Sequence, residues 1–501
     1  MFAKRWIVAS VLTVAFALSI FHQLALADDA KHNIRYKLVD IGGFGGPSSF
    51  LQNGFDGILN NRGSLVGWAD TAQPDPFPDF CFLPDCRISH AFLWDAGRTI
   101  DLGVLRKGFS SQAFWISSNG WIAGNSQNGK LDPVVPGFPE LRAVVWHNGK
   151  IQNLGTLEGG HESFAGAVNR KGEAVGLALN TVPDPFSILG VGVQARAFLW
   201  RNGHMRDLGT LGGPDAVAAF INDRGEVAGF SYIDSTPNLE SGVPTIDPFF
   251  WFHGKMLDVG SFGGTFGQPY AFNNHGQMVG TSNLAGDLTY HPFLWDKGVL
   301  TDLGTLGGDT GFANWINESG VIAGKADLPG ESPQNHNAVI WKDGLIQDLG
   351  TLPGDSCANA YFVDSWGNVV GTSESRELCL VPTGQHAFLW KNGGPMVDLN
   401  TLIPPDSGLE LTFAVAINDA GVIAGFGVPP GCAPGDVEVC GHAYLLIPCD
   451  DDHHGRCDAV HDHVAALSSI AKSALPKNRK VEPQQLGARL RVHSAGTESR
   501  Q

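Results

Sequence analysis

The chain has 501 residues and a formal net charge of −17, because 50 Asp and Glu residues outnumber 33 Lys and Arg residues. An acidic surface repels phosphate backbones, so nucleic acid is excluded as an expected partner. The 65 Gly residues recur at fixed positions of a repeat, where turns need them, which favours many short strands over disorder.

The N-terminal segment has the three parts of a secretory signal. Basic Lys4–Arg5 precedes the apolar run Trp6–Ile20, and the small-residue site Ala25–Ala27 follows. An uncleaved anchor is the alternative, but the apolar run is shorter than the ~20 residues that a membrane span needs. We therefore predict that residues 1–27 are a signal peptide and that the mature chain is exported, either secreted or periplasmic, with no membrane span.

A three-part phrase then recurs eight times at a spacing of about 44 to 56 residues, the range of propeller blades. Its clearest copy runs from Ala197 to Ser231. An aromatic anchor recurs at Trp94, Trp146, Trp200, Trp251, Trp295, Trp341 and Trp390, with Leu446 in the last copy. An Asp-Leu-Gly element recurs at Asp40, Asp101, Asn153, Asp207, Asp258, Asp302, Asp348 and Asp398. An Asn-x-x-Gly turn recurs at Asn60, Ser117, Asn169, Asn222, Asn273, Asn317, Asp364 and Asn418.

Each copy predicts four antiparallel strands. In one copy, strand Ala216–Ile221 meets a turn and returns as Glu226–Ser231, and Pro248–Trp251 and Met256–Val259 form a second hairpin. Four such strands make one propeller blade. A residue repeated at one strand position is a packing element, so we interpret the recurring Trp as blade-to-blade packing rather than a sugar-stacking array.

The two ends of the repeat region are complementary. A lone fourth-type strand, Tyr36–Ile41, opens it, and the last copy stops after a third-type strand, Ala443–Ile447. Pairing the two would complete the last blade and leave no open edge. We therefore predict an all-β fold with residues 28–448 in one closed β-propeller, with eight four-stranded blades favoured and seven as the alternative. We expect residues 449–501 to form a separate Cys-, His- and Asp-rich segment followed by a basic, disordered tail.

The strings His90–Trp94 and His386–Trp390, with the repeated Asp-Leu-Gly-Thr-Leu-Gly-Gly phrases, resemble the extracellular HAF repeat family of bacteria. The resemblance covers the chain from Tyr36 to Pro448. It implies a secreted or cell-surface repeat protein and supplies no catalytic residues.

The strand order assigns the long connections to one face. They are Asp70–Ser89, Gln127–Leu141, Leu177–Gln194 and Gly427–Gly441. Variable loops on a rigid scaffold usually carry binding, so we expect this face to be the working one.

Five acids follow the Gly- or Pro-rich turns that lead into the innermost strands, at Glu162, Asp215, Asp309, Asp355 and Asp406. They would ring the mouth of the channel and could bind a ligand there or hold Ca²⁺ through oxygen atoms. The alternative, which we favour, is that each acid caps its own turn. The pattern requires no cofactor, and Ca²⁺ is the only candidate.

The eight Cys residues of an exported chain favour disulfides over metal thiolates. The spacing and the face assignment predict the pairs Cys81–Cys86, Cys357–Cys379, Cys432–Cys440 and Cys449–Cys457. A metal cluster with His453, His454, His461 and His463 is the weaker alternative.

These patterns favour a binding or scaffolding module, active as a monomer, that engages a glycan or a protein of the cell envelope or the surroundings. A hydrolase or lyase acting on extracellular polysaccharide is one alternative, and an adhesion protein without a small ligand is another. Convergence of unique polar residues in one pocket would favour the enzyme.

Overall fold

The computed structural model describes residues 36–52, 57–239, 241–330, 335–375, 384–433 and 436–449. The predicted signal peptide and the chain beyond Cys449 lie outside these ranges. The described part contains 32 strands, a 3-10 turn at Leu399–Leu402 and one short helix, α1, at Val437–Cys440. No helix within it is long and apolar enough to cross a membrane.

The strands follow the repeat in groups of four. Strand β1 is Tyr36–Asp40. The first unit has β2 (Gly45–Phe50), β3 (Leu65–Pro74), β4 (Arg87–Asp95) and β5 (Arg98–Asp101). The second has β6 (Ser111–Ile116), β7 (Ile122–Leu131), β8 (Pro139–His147) and β9 (Lys150–Asn153). The third has β10 (Ser163–Val168), β11 (Ala174–Pro183), β12 (Val193–Arg201) and β13 (His204–Asp207). The fourth has β14 (Ala216–Ile221), β15 (Val227–Tyr232), β16 (Ile246–Phe252) and β17 (Lys255–Asp258).

The remaining units continue in the same order. The fifth has β18 (Gly263–Phe272), β19 (Met278–Leu284), β20 (Tyr290–Asp296) and β21 (Val299–Asp302). The sixth has β22 (Gly311–Ile316), β23 (Ile322–Asp327), β24 (His336–Lys342) and β25 (Leu345–Gly350). The seventh has β26 (Cys357–Val363), β27 (Val369–Glu374), β28 (Gln385–Trp390) and β29 (Met396–Asp398). The eighth has β30 (Glu410–Ile417), β31 (Ile423–Val428) and β32 (His442–Pro448), with β1 beside β32.

Hydrogen bonds join these strands into seven sheets, six of four strands and one of eight. The eight-stranded sheet consists of the fourth and fifth units, joined by a single parallel pair, Ile246 with Phe266. Strand β1 pairs antiparallel with β32, from Tyr36 opposite Pro448 to Asp40 opposite Tyr444. The predicted pairing of the first and last strands of the repeat region is therefore confirmed, and the fold is an all-β propeller.

The recurring Trp residues lie in the cores between units. All seven are at most 5% exposed. Trp251 of β16 packs in one cluster with Val175, Leu199 and Leu208 of the preceding unit. Trp390 packs in the same way against residues of the sixth unit. Fully burying a large apolar side chain contributes about 1.5 to 3 kcal/mol, so these anchors hold neighbouring units together.

The polar residues of the repeat stabilise the outer hairpin and the turn that follows it. In the first unit, the His90 ring lies 2.9 Å from the Asp101 carboxylate, and the other Asp101 oxygen accepts the Gly103 N–H at 2.7 Å. The third, fifth, sixth and eighth units repeat this pairing between the third and fourth strands, and the partners are Arg196–Asp207, His291–Asp302, Asn337–Asp348 and His442–Asp40. The recurring Asp is thus a structural group of the turn.

Candidate functional site

The two faces of the propeller carry different connections. The face formed by the Asn-x-x-Gly turns is called the hairpin face here, and the face formed by the long connections is called the long-loop face. Each face has its own cavity.

On the hairpin face, the eight turns are joined by hydrogen bonds. In the third unit, the Asn169 side-chain oxygen accepts the N–H groups of Lys171 and Glu173, and its NH₂ donates to the Asn222 carbonyl of the next turn at 3.0 Å. Five other asparagines donate to the next turn, and they are Asn60, Asn222, Asn273, Asn317 and Asn418. The last of these bonds, 3.0 Å long, runs from the Asn418 turn to the Asn60 turn.

Two turns lack the donating asparagine, because Ser117 and Asp364 stand in its place. In both, the third residue of the turn supplies the donor. Asn119 donates to the Arg170 carbonyl at 2.9 Å, and the Trp366 indole N–H donates to the Asp419 carbonyl at 3.0 Å. Every turn is therefore bonded to the next one.

A cavity of about 280 Å³ lies at the centre of these turns, and residues of all eight units line it. Trp115, Phe272, Trp315 and Phe362 give it an aromatic wall. The rings of Trp315 and Phe362 stack with their centroids 4.0 Å apart. The cavity is an apolar cup with a polar rim of turn residues.

The five predicted acids lie in the loops on the long-loop face, and none is among the residues that line the central cavity. Two of them are buried anchors between units. Glu162 accepts the Leu141 N–H of the preceding unit at 2.7 Å. Asp215 accepts the N–H groups of Ile188 at 2.6 Å and Ala195 at 2.9 Å. Both carboxylates thus hold the preceding long loop or third strand.

Burial changes the acidity of these two groups. Burial, and then the carboxylates of Asp132 and Glu140, raise the pKa of Glu162 to about 9. Burial, and then the carboxyl group of Asp184, raise the pKa of Asp215 to about 7. A carboxylic acid with such a pKa is protonated or partly protonated at neutral pH, so these side chains serve structure without a full buried charge.

The other three acids differ in their surroundings. Asp355 has a largely buried side chain, and its carboxylate lies 3.2 Å from the His386 ring. Asp309 and Asp406 are exposed. His386 and Asp406 line one pocket. Because Asp355 contacts His386, two of the five predicted acids, Asp355 and Asp406, lie in this region together with a histidine.

That pocket, of about 640 Å³, lies on the long-loop face between the seventh and eighth units. Its walls are the connection Leu399–Glu410 and the loop after β31, which the Cys432–Cys440 disulfide closes. Asp398, Asp406 and Glu410 supply three carboxylates, and none of the described residues that line it is Lys or Arg. We name it the junction pocket.

Sequence reasoning missed two features of this region. In the seventh unit, His386 does not pair with the recurring Asp398, as His90 pairs with Asp101, but contacts Asp355 in the loop before the unit. Asp398 instead caps the 3-10 turn by accepting the Asn400 N–H at 2.8 Å. Trp366 is the other omission. The signal for it was present, because the third turn residue is Trp in one copy and Arg, Asn, Lys, His, Ser or Ala in the others.

The described disulfides match two of the predicted pairs, Cys81–Cys86 and Cys432–Cys440. Cys357 and Cys449 are also disulfide-bonded, and the cysteines predicted to pair with them, Cys379 and Cys457, lie outside the described residues. So do the candidate metal ligands His453, His454, His461 and His463. Within the described ranges, no group of three or more His, Cys, Asp or Glu residues is placed to hold a metal ion.

No family model and no curated protein matches this chain. Among solved structures, an acylaminoacyl peptidase from Pyrococcus horikoshii is similar with 10% identity and a TM-score of 0.40, over 76% of this chain and 58% of the peptidase. The β-propeller domain of the trilobed protease from Pyrococcus furiosus is similar with 12% identity and a TM-score of 0.38, over 73% of this chain and 98% of that domain. Dipeptidyl peptidase 4 of Porphyromonas gingivalis is similar with 11% identity and a TM-score of 0.41, over 68% of this chain and 54% of that one. The chain thus spans little more than half the length of the acylaminoacyl peptidase and of dipeptidyl peptidase 4.

Proposed function

We propose that this chain is an exported binding module, a closed ring of eight blades built from HAF-like repeats, that captures a cationic ligand in the junction pocket. The ligand would be an amine or guanidinium group of a protein or glycan of the cell envelope or its surroundings. The observation that carries the proposal is the set of three carboxylates, Asp398, Asp406 and Glu410, in a cavity of about 640 Å³.

The closed ring with eight blades has two supports. The strands form eight groups of four, because the eight-stranded sheet divides into two antiparallel halves at one parallel pair. Hydrogen bonds also link the turn at Asn418 to the turn at Asn60, and Asn61 donates to the Asp419 carboxylate at 2.6 Å. A ring without an open edge is a rigid support for a loop-borne site.

The charge of the pocket supports the ligand class. Three carboxylates without a compensating Lys or Arg in the lining create a negative potential that attracts cations and repels anions. The net charge of −17 acts in the same direction over longer distances. Prolines at Pro404, Pro405, Pro429 and Pro430 restrict the backbone of both walls, which limits the entropy lost when a ligand binds.

The experiment measures binding of a labelled hexalysine peptide and of a chitosan oligomer to the purified protein at low and high salt. Asp406→Asn and Glu410→Gln should each weaken binding about fivefold at low salt, because an exposed ion pair contributes up to about 1 kcal/mol. Asp309→Asn is the matched control, since Asp309 is an exposed acid of the corresponding loop between the fifth and sixth units. Equal losses in all three variants, or no binding of either probe, would refute the proposed site.

One observation favours a second function, hydrolysis or elimination on an extracellular polysaccharide. The His386 ring lies 3.2 Å from the Asp355 carboxylate at the wall of a pocket that also holds Asp406. Such a pair can orient an imidazole for proton transfer. A polysaccharide-degradation screen, with and without Ca²⁺, decides between the two functions. Turnover that His386→Ala abolishes would make the chain an enzyme.

A further inference from the structure

Trp366 is a large aromatic side chain that the fold leaves in solvent. It is 68% exposed, whereas the seven recurring Trp residues are at most 5% exposed. It belongs to the seventh turn on the hairpin face, beside Ser365 and Asp364, which line the rim of the central cavity. It therefore lies on the opposite face from the junction pocket.

The scaffold role of Trp366 needs only its N–H group. The indole N–H donates to the Asp419 carbonyl, and in the second unit Asn119 donates from the same turn position to the equivalent carbonyl of Arg170. A small polar side chain is thus sufficient to link the turns. The exposed aromatic ring is an additional feature that the ring of turns does not explain.

The hydrogen bond fixes the ring and uses its only polar atom. A Trp indole has one donor and no acceptor, so the remaining exposed surface is apolar. Because the indole N–H is held at 3.0 Å from its acceptor, the Trp366 side chain loses little additional conformational entropy when a ligand packs on the face of its ring.

The groups around the ring are polar. The Asp419 carboxylate accepts the Ser365 N–H at 3.1 Å and the Asn61 NH₂ at 2.6 Å, and its remaining lone pairs can accept a hydroxyl group. The Asn392 NH₂ donates to the Trp366 carbonyl at 3.2 Å, and Lys391 precedes it. Because two donors already bond to the Asp419 carboxylate, the patch suits a neutral polar ligand better than a charged one.

We propose that Trp366 is the stacking platform of a carbohydrate-binding site for neutral sugars at the rim of the central cavity. A pyranose ring has an apolar face of C–H groups, which packs on an aromatic ring, and an edge of hydroxyl groups, which bonds to neighbours such as Asp419 and Asn392. A single aromatic ring surrounded by polar groups fits one sugar unit, whereas a protein partner would need a broader apolar patch. This site is independent of the junction pocket.

The experiment uses the full exported chain and an array of neutral glucose, mannose and galactose oligosaccharides, followed by titration of the best ligand. Trp366→Asn restores the donor seen at Asn119 and removes the ring, so the protein should keep its melting temperature and lose binding at least tenfold. Trp366→Phe keeps an aromatic face and loses the donor, so its affinity should stay within about threefold. Leu345→Ala, which removes a 74% exposed apolar side chain elsewhere, is the control and should bind like the parent.

Acrylamide quenching of Trp fluorescence gives a second readout. A bound oligosaccharide should shield Trp366 from the quencher in the parent, and the effect should disappear in Trp366→Asn. Unchanged sugar binding in Trp366→Asn, or an array on which no neutral oligosaccharide binds, would overturn the proposal. Binding of hexalysine that depends on Trp366 rather than Asp406 would also overturn it. Failure of the junction pocket would appear separately, as sugar binding without cation binding.

Discussion

The third to sixth units and the junction of the seventh and eighth units share one repeat but differ in the residue that links their turns and in the connection between units. In the third to sixth units, an Asn side chain links each turn to the next. The connections after β13 and β21 contain a Gly-Gly pair, and strand β18 begins with one. At the junction, Trp366 replaces the Asn donor, and a 3-10 turn followed by Pro404 and Pro405 replaces the Gly-Gly connection.

The difference separates scaffold from candidate sites. A residue that recurs in most units is explained by the contact between units, as for the buried Trp anchors and the capping Asp residues. A residue that departs from the repeat while the fold remains intact needs another explanation. Both proposed sites, the junction pocket and Trp366, consist of such departures, one on each face of the same region.

Deleting Tyr36–Ile41 should have the largest effect on stability, because the eighth unit at the junction would lose its outermost strand. Strand β1 contributes buried Tyr36 and covers the edge of β32. We expect the free energy of unfolding to fall by roughly 5 kcal/mol or more, with aggregation through the open edge. Thermal unfolding and light scattering measure both effects. A truncation that ends before Tyr36 is the control, and an unchanged melting temperature after the longer deletion would contradict a structural role for β1.

Replacing one buried and one exposed Trp compares the two classes directly. Trp341→Ala should lower the free energy of unfolding by about 3 to 5 kcal/mol, because it leaves a cavity between units. Trp366→Asn should change it by less than about 0.5 kcal/mol. Denaturant unfolding with both variants measures the difference. Similar losses would mean that Trp366 is part of the scaffold.

The acids of the two regions should differ in their effect on pH dependence. The raised pKa of Asp215, about 7, exceeds the value of about 4 for an unfolded chain. Its contribution to stability is therefore complete below about pH 4 and is lost as the pH rises through about 7. Between pH 5 and pH 8 the contribution of Asp215 should fall by about 1 to 3 kcal/mol, and Glu162, whose pKa is raised to about 9, should lower the melting temperature further over the same range. Asp215→Asn should reduce this fall without abolishing it, whereas Asp406→Asn should leave it unchanged. A parent protein with equal stability at both pH values would disprove the assignment.

The two described disulfides should each make a modest contribution to stability. Each closes a short loop, with separations of five and eight residues, so its removal should cost about 2 kcal/mol or less. Replacing Cys81 and Cys86 by Ser should leave hexalysine binding intact. Replacing Cys432 and Cys440 should weaken it severalfold, because Cys432 lines the junction pocket. Binding and melting measurements on both double variants test whether the second disulfide has a role beyond stability.

The sequence was sufficient to predict the order of the strands, because the repeat alternates apolar runs with Gly turns, and to predict the pairing of Tyr36–Ile41 with the last strand. It did not predict their full lengths, since β7 and β11 extend to Leu131 and Pro183 inside the expected loops. It also identified two disulfides, since both lie within single loops. It did not place Glu162 and Asp215, whose partners belong to the preceding unit, because contacts between neighbouring loops depend on how the units are rotated against each other. Trp366 could not be predicted from the repeat, because the repeat is defined by residues that recur and Trp occupies this turn position in one copy.

The pairing of β1 with β32 also bears on how the molecule is made. Asp40 and His442, whose side chains share a hydrogen bond between these strands, are 402 positions apart in the chain. A polypeptide synthesised or translocated from its N terminus must therefore leave β1 without its partner until nearly the whole repeat region has emerged. Contacts over such separations form late and slowly. The units can fold one after another, but strand β1 can pair only after β32 has been synthesised.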